Sequence, residues 1–298
     1  MNAYVRGLRL ERWPRSAAIF LGSAAYFYLY RDALSSFSPA GIFFRLVLSF
    51  FLTWAVSTAN YVVNEIVDAP FDIHHPVKRH RPLIQGEIKK GPFILVGAVL
   101  TAAGLILARV FFSWPFFISL LTLLLAGFIY NVRPVRTKDI PFLDAISESA
   151  NNPVRFLIGW YAFAPVHIFP PVALLVAWWS FGNFLMTAKR LSEFRLLKDK
   201  AADYRLSHKR YSRAALLAGM ISSAAVFLLS FIYFAIHWRL RWFLYISPLL
   251  LVYLCLFFRK TLDEREIMEE PESLLQNPLI ALLTCAIFSL LVLSFFLQ

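Results

Sequence analysis

Nine apolar runs, each close to the length of a helix that crosses a lipid bilayer, constrain what this chain can fold into. They lie at residues 16–34, 41–66, 91–112, 114–131, 141–162, 168–189, 214–236, 241–258 and 277–297. The composition agrees, because 59% of the 298 residues are hydrophobic and only 16% are charged. A soluble domain carries about 25% charged residues. The sequence therefore predicts an integral membrane protein with nine transmembrane helices.

Positive residues are distributed unequally between the two sides of the membrane that these nine spans define. Of the 30 Lys and Arg residues, 24 fall in the N-terminal segment and in the loops after spans two, four, six and eight. Cytoplasmic loops carry such an excess, so we expect the N-terminus inside and the C-terminus outside. The net charge of +12 then reports orientation, and we expect no nucleic-acid partner. Among the 18 acidic residues, only Asp32 falls on the far side, which places the chemistry on the cytoplasmic face.

A polar stretch at residues 60–86 contains the strongest candidate site. Residues at every fourth position share one face of a helix, and these positions hold Asn60, Asn64, Asp68 and Asp72, with Glu65 beside them. Pro70 is expected to end the regular helix, because the residue before a proline avoids the α region. The basic residues Lys78, Arg79 and Arg81 follow. Oxygen ligands suit Mg²⁺, and Arg and Lys bind phosphate, so the stretch predicts a metal–diphosphate site. A solvated helix end with a basic loop is the alternative.

Polar residues also precede and enter the fifth span. Tyr130 ends the fourth span, and Arg136 lies in the loop that follows. Steps of three and four residues then place one polar stripe on the fifth helix, made of Asp144, Glu148, either Asn151 or Asn152, and Arg155. Arg155 would lie about 16 Å deeper than Asp144, where an exposed charge is costly. We interpret it as facing a polar cavity, with an ion pair to Glu148 or to another helix as the alternative.

The sixth span ends in a second polar segment. Asn183 shares a helix face with Arg190, and Lys189 shares one with Glu193. These cations could bind phosphate, but cations in the last turn also suit the helix dipole. The basic loop beyond, which includes Arg205, fits either anionic lipid headgroups or an anionic soluble substrate.

These motifs resemble those of a known family. The pattern Asn64-Glu65-x-x-Asp68-x-x-x-Asp72 is similar to the first acidic motif of the UbiA prenyltransferase superfamily, with Glu65 in place of the usual Asp. Within that superfamily the chain most resembles the decaprenyl-phosphate phosphoribosyltransferase branch. Three stretches carry this likeness: residues 75–86, Asp144 with Arg155 and Gly159, and residues 188–195 followed by Arg205 and Tyr211-Ser212.

The resemblance implies an all-α, polytopic integral membrane protein with nine transmembrane helices around a central cavity open to the cytoplasm. One domain would span residues 1–298. Mg²⁺ would be held by Asn64, Glu65, Asp68 and Asp72. The implied catalytic residues are Asp68, Asp72, Arg155, Lys189 and Arg190. The implied substrate-binding residues are Asn60, Lys78, Arg79, Arg81, Tyr130, Arg136, Asp144, Glu148, Asn152, Asn183, Glu193 and Arg205.

Two reactions with a diphosphate leaving group fit the resemblance. The first is phosphoribosyl transfer from phosphoribosyl pyrophosphate to a polyprenyl phosphate. The alternative moves an isoprenyl group from an isoprenyl diphosphate to an aromatic or lipid acceptor, with Asp199 and Asp203 as a second metal motif. Both reactions pair a lipid substrate in the bilayer with an anionic diphosphate and leave the oligomeric state open. A transporter is a third possibility, disfavoured because we find no inverted repeat.

Overall fold

The computed structural model describes residues 2–73, 78–197, 206–262 and 277–297. Regular structure in these ranges is helical, with no β-strand, as the sequence predicts. The α-helices are α1 (Ala3–Gly7), α2 (Trp13–Ser16), α3 (Ile19–Leu29), α4 (Pro39–Asp72), α5 (Lys90–Phe111), α6 (Trp114–Asn131), α7 (Leu143–Ser149), α8 (Asn151–Tyr161), α9 (Val172–Leu197), α10 (Arg213–His237), α11 (Arg241–Leu262) and α12 (Pro278–Phe296).

Seven helices of the described chain are long and apolar enough to cross a bilayer, namely α4, α5, α6, α9, α10, α11 and α12. The remaining two predicted spans form shorter helices. α3 has 11 residues, or about 16 Å at the α-helical rise, against a hydrocarbon core of about 30 Å. The run at 141–162 is divided between α7 and α8 by a turn at Ala150. Nine spanning helices are therefore not confirmed, and the central cavity open to the cytoplasm stays a prediction.

The prediction that Pro70 ends its helix is wrong, because α4 continues through Pro70 to Asp72. Proline removes one backbone donor and strains the turn before it. α4 nevertheless keeps that turn and ends two residues after Pro70, at Asp72. Asp72 consequently lies in the last turn of α4, on the same helix as Glu65 and Asp68.

The chain divides into two compact units, each described here by itself. Unit 1 comprises Met1–Asp139 and Asn151–Pro170. Within it α4 packs against α5 and α6, and α8 packs against α3 and α6. Glycines permit the closest of these contacts: a Cβ atom on Gly159 would lie 1.8 Å from the carbonyl oxygen of Ile19, and one on Gly22 would lie 2.0 Å from that of Phe156. Helix α3 therefore meets α8 backbone to backbone.

Unit 2 comprises Ile140–Ala150 and Pro171–Gln298. Helix α9 packs against α7 and α10. Helix α11 packs against both α10 and α12. The buried core includes Phe184, Leu191, Leu216 and Met220. The expectation of one domain over residues 1–298 stays a prediction.

Candidate functional site

One face of α4 carries three buried carboxylates. Glu65, Asp68 and Asp72 follow each other at steps of three and four residues, which places them on the same side of the helix. Their exposed fractions are 2%, 5% and 3%. Buried carboxylates need partners, because an isolated ionised group is costly away from water. Each of the three has a cationic partner inside unit 1.

Asp68 is held by two cations from the segment after α6. Arg136 Nη2 lies 3.2 Å from Asp68 Oδ1, and Lys138 Nζ donates to Asp68 Oδ2. The Arg136 guanidinium also lies 3.0 Å from Asp139 and 4.8 Å from the centre of the Phe71 ring. Its backbone φ is +29°, which is unfavourable for a residue with a side chain. This strained turn brings the guanidinium to the α4 face.

Glu65 and Asp72 are bridged by an arginine from the loop after α4. Arg81 Nη1 donates to Asp72 Oδ2 and lies 3.6 Å from Glu65 Oε2. Glu65 Oε2 also accepts from Nη2 of Arg9, which comes from the N-terminus of the chain. One guanidinium within reach of both carboxylates shows that these two side chains converge in unit 1.

The α4 face supplies the ligand types that Mg²⁺ prefers. Asn64 Oδ1 and Glu65 Oε1 are buried and accept no hydrogen bond from the described residues. Carboxylate and amide oxygens are hard ligands, so the donor set fits this metal. In the described ranges, no group of three or more His, Cys, Asp or Glu side chains is already gathered as a metal site. Arginine and lysine balance the carboxylates instead.

Asn60, four residues before Asn64, lies between α4 and α6. Its Nδ2 donates to the carbonyl oxygen of Leu123 at 3.0 Å, and its side chain fills the space over Gly127. This contact ties two helices together. Tyr130 on α6 lies under Lys138, whose Nζ is 5.9 Å from the ring centre. Substrate binding by Asn60 and Tyr130 stays a prediction.

A second ionic cluster lies in unit 2 and is centred on Arg190, whose side chain is fully buried. Its Nε donates to Asp144 Oδ2 at 2.8 Å, its Nη2 to Glu148 Oε2 at 2.6 Å and its Nη1 to Glu193 Oε2 at 3.0 Å. Three carboxylates thus surround one guanidinium. The sequence pattern named all four residues as candidates, and the fold brings them together.

Asp144 and Glu193 have further partners that the sequence analysis did not assign to the site. Ser207 Oγ donates to Asp144 Oδ2 at 3.2 Å, and Tyr211 donates to Asp144 Oδ1. His208 Nε2 lies 3.2 Å from Glu193 Oε2. Burial first, and then the Asp144 carboxylate, raise the pKa of the Tyr211 phenol above its ordinary value. The phenol therefore stays protonated and donates.

The predicted stripe on the fifth span does not lie on one helix. Asp144 and Glu148 belong to α7 in unit 2, whereas Asn152 and Arg155 belong to α8 in unit 1. The turn at Ala150 interrupts the periodicity on which that prediction depended. Glu148 pairs with Arg190, and the alternative of an ion pair between Arg155 and Glu148 stays a prediction.

The other candidates are more scattered. Asn183 Nδ2 donates to Ser223 Oγ at 2.9 Å and so joins α9 to α10. Arg79 is exposed, and its Nε donates to His80 Nε2 at 3.1 Å. Lys189 is half-buried on α9. Arg205, Asp199 and Asp203 lie outside the described residues, as does the side chain of Lys78.

Two cationic side chains at the α4 face, those of Arg9 and Lys138, were not among the predicted site residues. Arg9 belongs to an N-terminal series of four arginines and was interpreted only as a mark of orientation. Lys138 belongs to the basic loop after the fourth span and was interpreted in the same way. Their sign was visible in the sequence, but the carboxylate that each one contacts was not.

An all-helical membrane protein with a buried, ion-paired acidic face is the class that these features define. Comparison with known proteins identifies the family within this class, since residues 18–277 match the UbiA prenyltransferase family. The chain belongs to this family and is a UbiA-type transferase embedded in the membrane.

Solved structures share the fold. A UbiA homolog from Archaeoglobus fulgidus bound to DMAPP and Mg²⁺ is 17% identical, with a TM-score of 0.71 over 99% of both chains. A structure of digeranylgeranylglyceryl phosphate synthase is also 17% identical, with a TM-score of 0.64 over 99% of this chain and 96% of the other.

A curated relative matches by sequence over part of its length. The lycopene elongase/hydratase of Haloarcula japonica is 29% identical over 157 residues, which cover 50% of this chain and 51% of the relative. The match therefore spans about half of each protein. These comparisons do not support the narrower resemblance to the decaprenyl-phosphate phosphoribosyltransferase branch.

Proposed function

We propose that this protein transfers an isoprenyl group from an isoprenyl diphosphate to an acceptor in the membrane, and that it depends on Mg²⁺. The buried carboxylate face of α4, with cations packed around it, is the observation that carries this proposal. Three carboxylates, together with two buried oxygens that have no hydrogen-bond partner among the described residues, suit a hard metal ion. The surrounding arginine and lysine side chains suit the phosphate oxygens of a diphosphate.

In this reaction the bond between C1 of the isoprenyl group and the diphosphate oxygen breaks, and the diphosphate leaves with the electron pair. C1 then bonds to an electron-rich atom of the acceptor, which loses a proton. Bound Mg²⁺ neutralises charge on the leaving diphosphate. Asn64, Glu65, Asp68 and Asp72 would hold the metal.

The cations of unit 1 have a distinct task in this proposal. Arg81, Arg136 and Lys138 already contact the carboxylates. A bound metal would replace part of their electrostatic role, which leaves these donors available to phosphate oxygens. Preorganised cations aimed at developing negative charge stabilise the transition state.

Phosphoribosyl transfer, the first interpretation of the sequence, has weaker support. The matched A. fulgidus homolog binds DMAPP, an isoprenyl diphosphate, and the H. japonica relative is named for an isoprenoid reaction. Arg190, which the phosphoribosyl mechanism assigns to phosphate, is surrounded by Asp144, Glu148 and Glu193. An anion there would meet three carboxylates. Prenyl transfer does not need a phosphate at Arg190.

Purified protein with Mg²⁺ and either donor tests this proposal by release of diphosphate. Geranyl diphosphate should yield diphosphate once a lipid or aromatic acceptor is supplied, and phosphoribosyl pyrophosphate with a polyprenyl phosphate should not. Turnover that occurs only with phosphoribosyl pyrophosphate would restore the first interpretation.

Four substitutions distinguish the mechanisms further. In prenyl transfer, Asp199→Asn and Asp203→Asn should be as damaging as Asp68→Asn, because all three would remove metal carboxylates. Lys189→Gln is the comparison variant, and it should affect turnover less. A prenyl transfer that ignores Asp199 and Asp203 but requires Lys189 would contradict the assignment of the second motif.

A further inference from the structure

The N-terminal segment, residues 2–16, is anchored to the part of unit 1 that carries the acidic face. Ala3, Tyr4 and Leu8 pack against a buried cluster of Val62, Ile88 and Phe93. Val62 belongs to α4 and lies one turn before Ile66, which also packs there. Apolar contacts therefore hold this segment beside the motif, independently of any charge.

Arg9 is the residue of this segment that reaches the motif. It lies between α1 and the short 3₁₀ helix Leu10–Arg12, with φ +52° and ψ +46°. This left-handed conformation is unfavourable for a residue with a side chain and persists only where the surroundings impose it. Arg9 is only 7% exposed, and its Nη2 donates to Glu65 Oε2. The strained backbone thus delivers a buried guanidinium to one motif carboxylate.

The two oxygens of Glu65 are in different situations. Oε2 accepts from Arg9 and lies 3.6 Å from Arg81, whereas Oε1 is buried without a hydrogen-bond partner among the described residues. A buried acceptor without a donor is unfavourable. Oδ1 of the adjacent Asn64 is in the same condition. One oxygen of Glu65 is therefore fixed, and the other is open to a cation.

We propose that Arg9 is a positioning residue that fixes Glu65 through Oε2 and presents Oε1 to the metal. Metal-binding carboxylates are commonly oriented by hydrogen bonds from outside the ligand shell. This inference rests on the proposed Mg²⁺-dependent function and adds the N-terminal segment to the site. Arg9 itself contacts neither metal nor substrate.

Arg9→Gln tests the proposal by metal dependence instead of by activity alone. The midpoint of thermal unfolding is measured in detergent with a fixed concentration of inorganic diphosphate while Mg²⁺ is titrated. Loss of a residue that orients a metal ligand costs about 10- to 100-fold in metal affinity. We expect the Mg²⁺ concentration for half-maximal stabilisation to rise by that factor. The Mg²⁺ dependence of diphosphate release should shift in parallel.

Arg6→Gln is the matched control, because Arg6 lies in the same segment and pairs with Glu87 on the exposed surface. Its Mg²⁺ titration should coincide with that of the unmodified protein. The double variant Arg9→Gln/Glu65→Gln should show no greater Mg²⁺ shift than Glu65→Gln alone, since Arg9 acts through Glu65. Additive shifts would overturn the proposal.

A purely structural role for Arg9 would give a different result. Arg9→Gln would then lower the unfolding temperature without Mg²⁺ and leave the Mg²⁺ titration unchanged, which overturns the proposal. If Arg9→Gln does not fold, Arg9→Lys serves in its place. Lysine keeps the charge but lacks the two-pronged set of donors of a guanidinium. We therefore expect a smaller rise in the Mg²⁺ concentration for half-maximal stabilisation, and an unchanged titration contradicts the proposal. Absence of any Mg²⁺ effect in the unmodified protein would instead refute the proposed function.

Discussion

Substitution of Gly159 by alanine tests the backbone contact between α3 and α8. The new Cβ atom would lie 1.8 Å from the carbonyl oxygen of Ile19 and 2.7 Å from its carbonyl carbon. Ordinary van der Waals contact begins at 3.4 Å, so the two helices would have to separate by more than 1 Å. The neighbouring atoms are backbone atoms, which cannot rotate away as a side chain can.

The expected loss of stability follows from two opposing terms. Overpacking of a filled interior costs about 1–3 kcal/mol and occasionally more, and a clash with backbone belongs at the upper end. Alanine recovers up to about 1 kcal/mol over glycine as a helix former. Separation of the helices would also stretch the 2.8 Å hydrogen bond from Ser23 Oγ to the Gly159 carbonyl oxygen. We expect a net destabilisation of about 2 kcal/mol, which corresponds to about 4–8 °C in Tm.

Thermal unfolding in detergent, followed by circular dichroism at helical wavelengths, measures this effect. Gly91→Ala is the matched control, because Gly91 also lies in a helix and a Cβ atom there would meet nothing within 4 Å. This control should leave the Tm unchanged or slightly raised. Equal Tm values for the two alanine variants would refute the argument that α3 and α8 touch through their backbones.

Three further outcomes are expected. Asp68→Asn should lower Mg²⁺-dependent diphosphate release by about 100-fold or more, since it weakens the metal site. The control Asp139→Asn removes a second partner of Arg136 and should retain turnover. Equal losses in the two variants would mean that the ion pairs matter and the metal does not. Tyr211→Phe should destabilise the protein by about 1–3 kcal/mol, as measured by unfolding, because Asp144 loses a donor and the Phe142 N–H loses its acceptor; an unchanged Tm would show that this network carries no stability. Reporter fusions at the two termini should place the N-terminus in the cytoplasm and the C-terminus outside, and both termini on one side would contradict the topology.

Local sequence pattern determined the membrane character and the acidic face. Hydropathy depends on composition within a window of about 20 residues, so it predicted the seven helices that are long enough to span. Glu65, Asp68 and Asp72 share a face because helical periodicity alone places them there. The family motif was visible for the same reason, since all of its members lie within nine positions.

The structure differs from the local sequence pattern at two predicted spans and at one predicted helix end. The run at 141–162 is apolar enough to suggest one span, but it is divided at Ala150 between helices that belong to different units. Pro70 carries a local signal for helix termination, yet α4 continues to Asp72. A sequence window does not determine either outcome, because contacts between distant parts of the chain add free energy that local preference does not represent.

Only the tertiary structure decided which cation meets which carboxylate. Arg9 and Glu65 are 56 positions apart, and Lys138 and Asp68 are 70 apart. Arg190 looked like a phosphate-binding residue in the sequence, but the fold brings three carboxylates to it. Charge sign is a property of a residue, and it can be read from the sequence. The strength of a charge interaction depends on distance and on burial, and both are set by how helices that are far apart in the chain pack together.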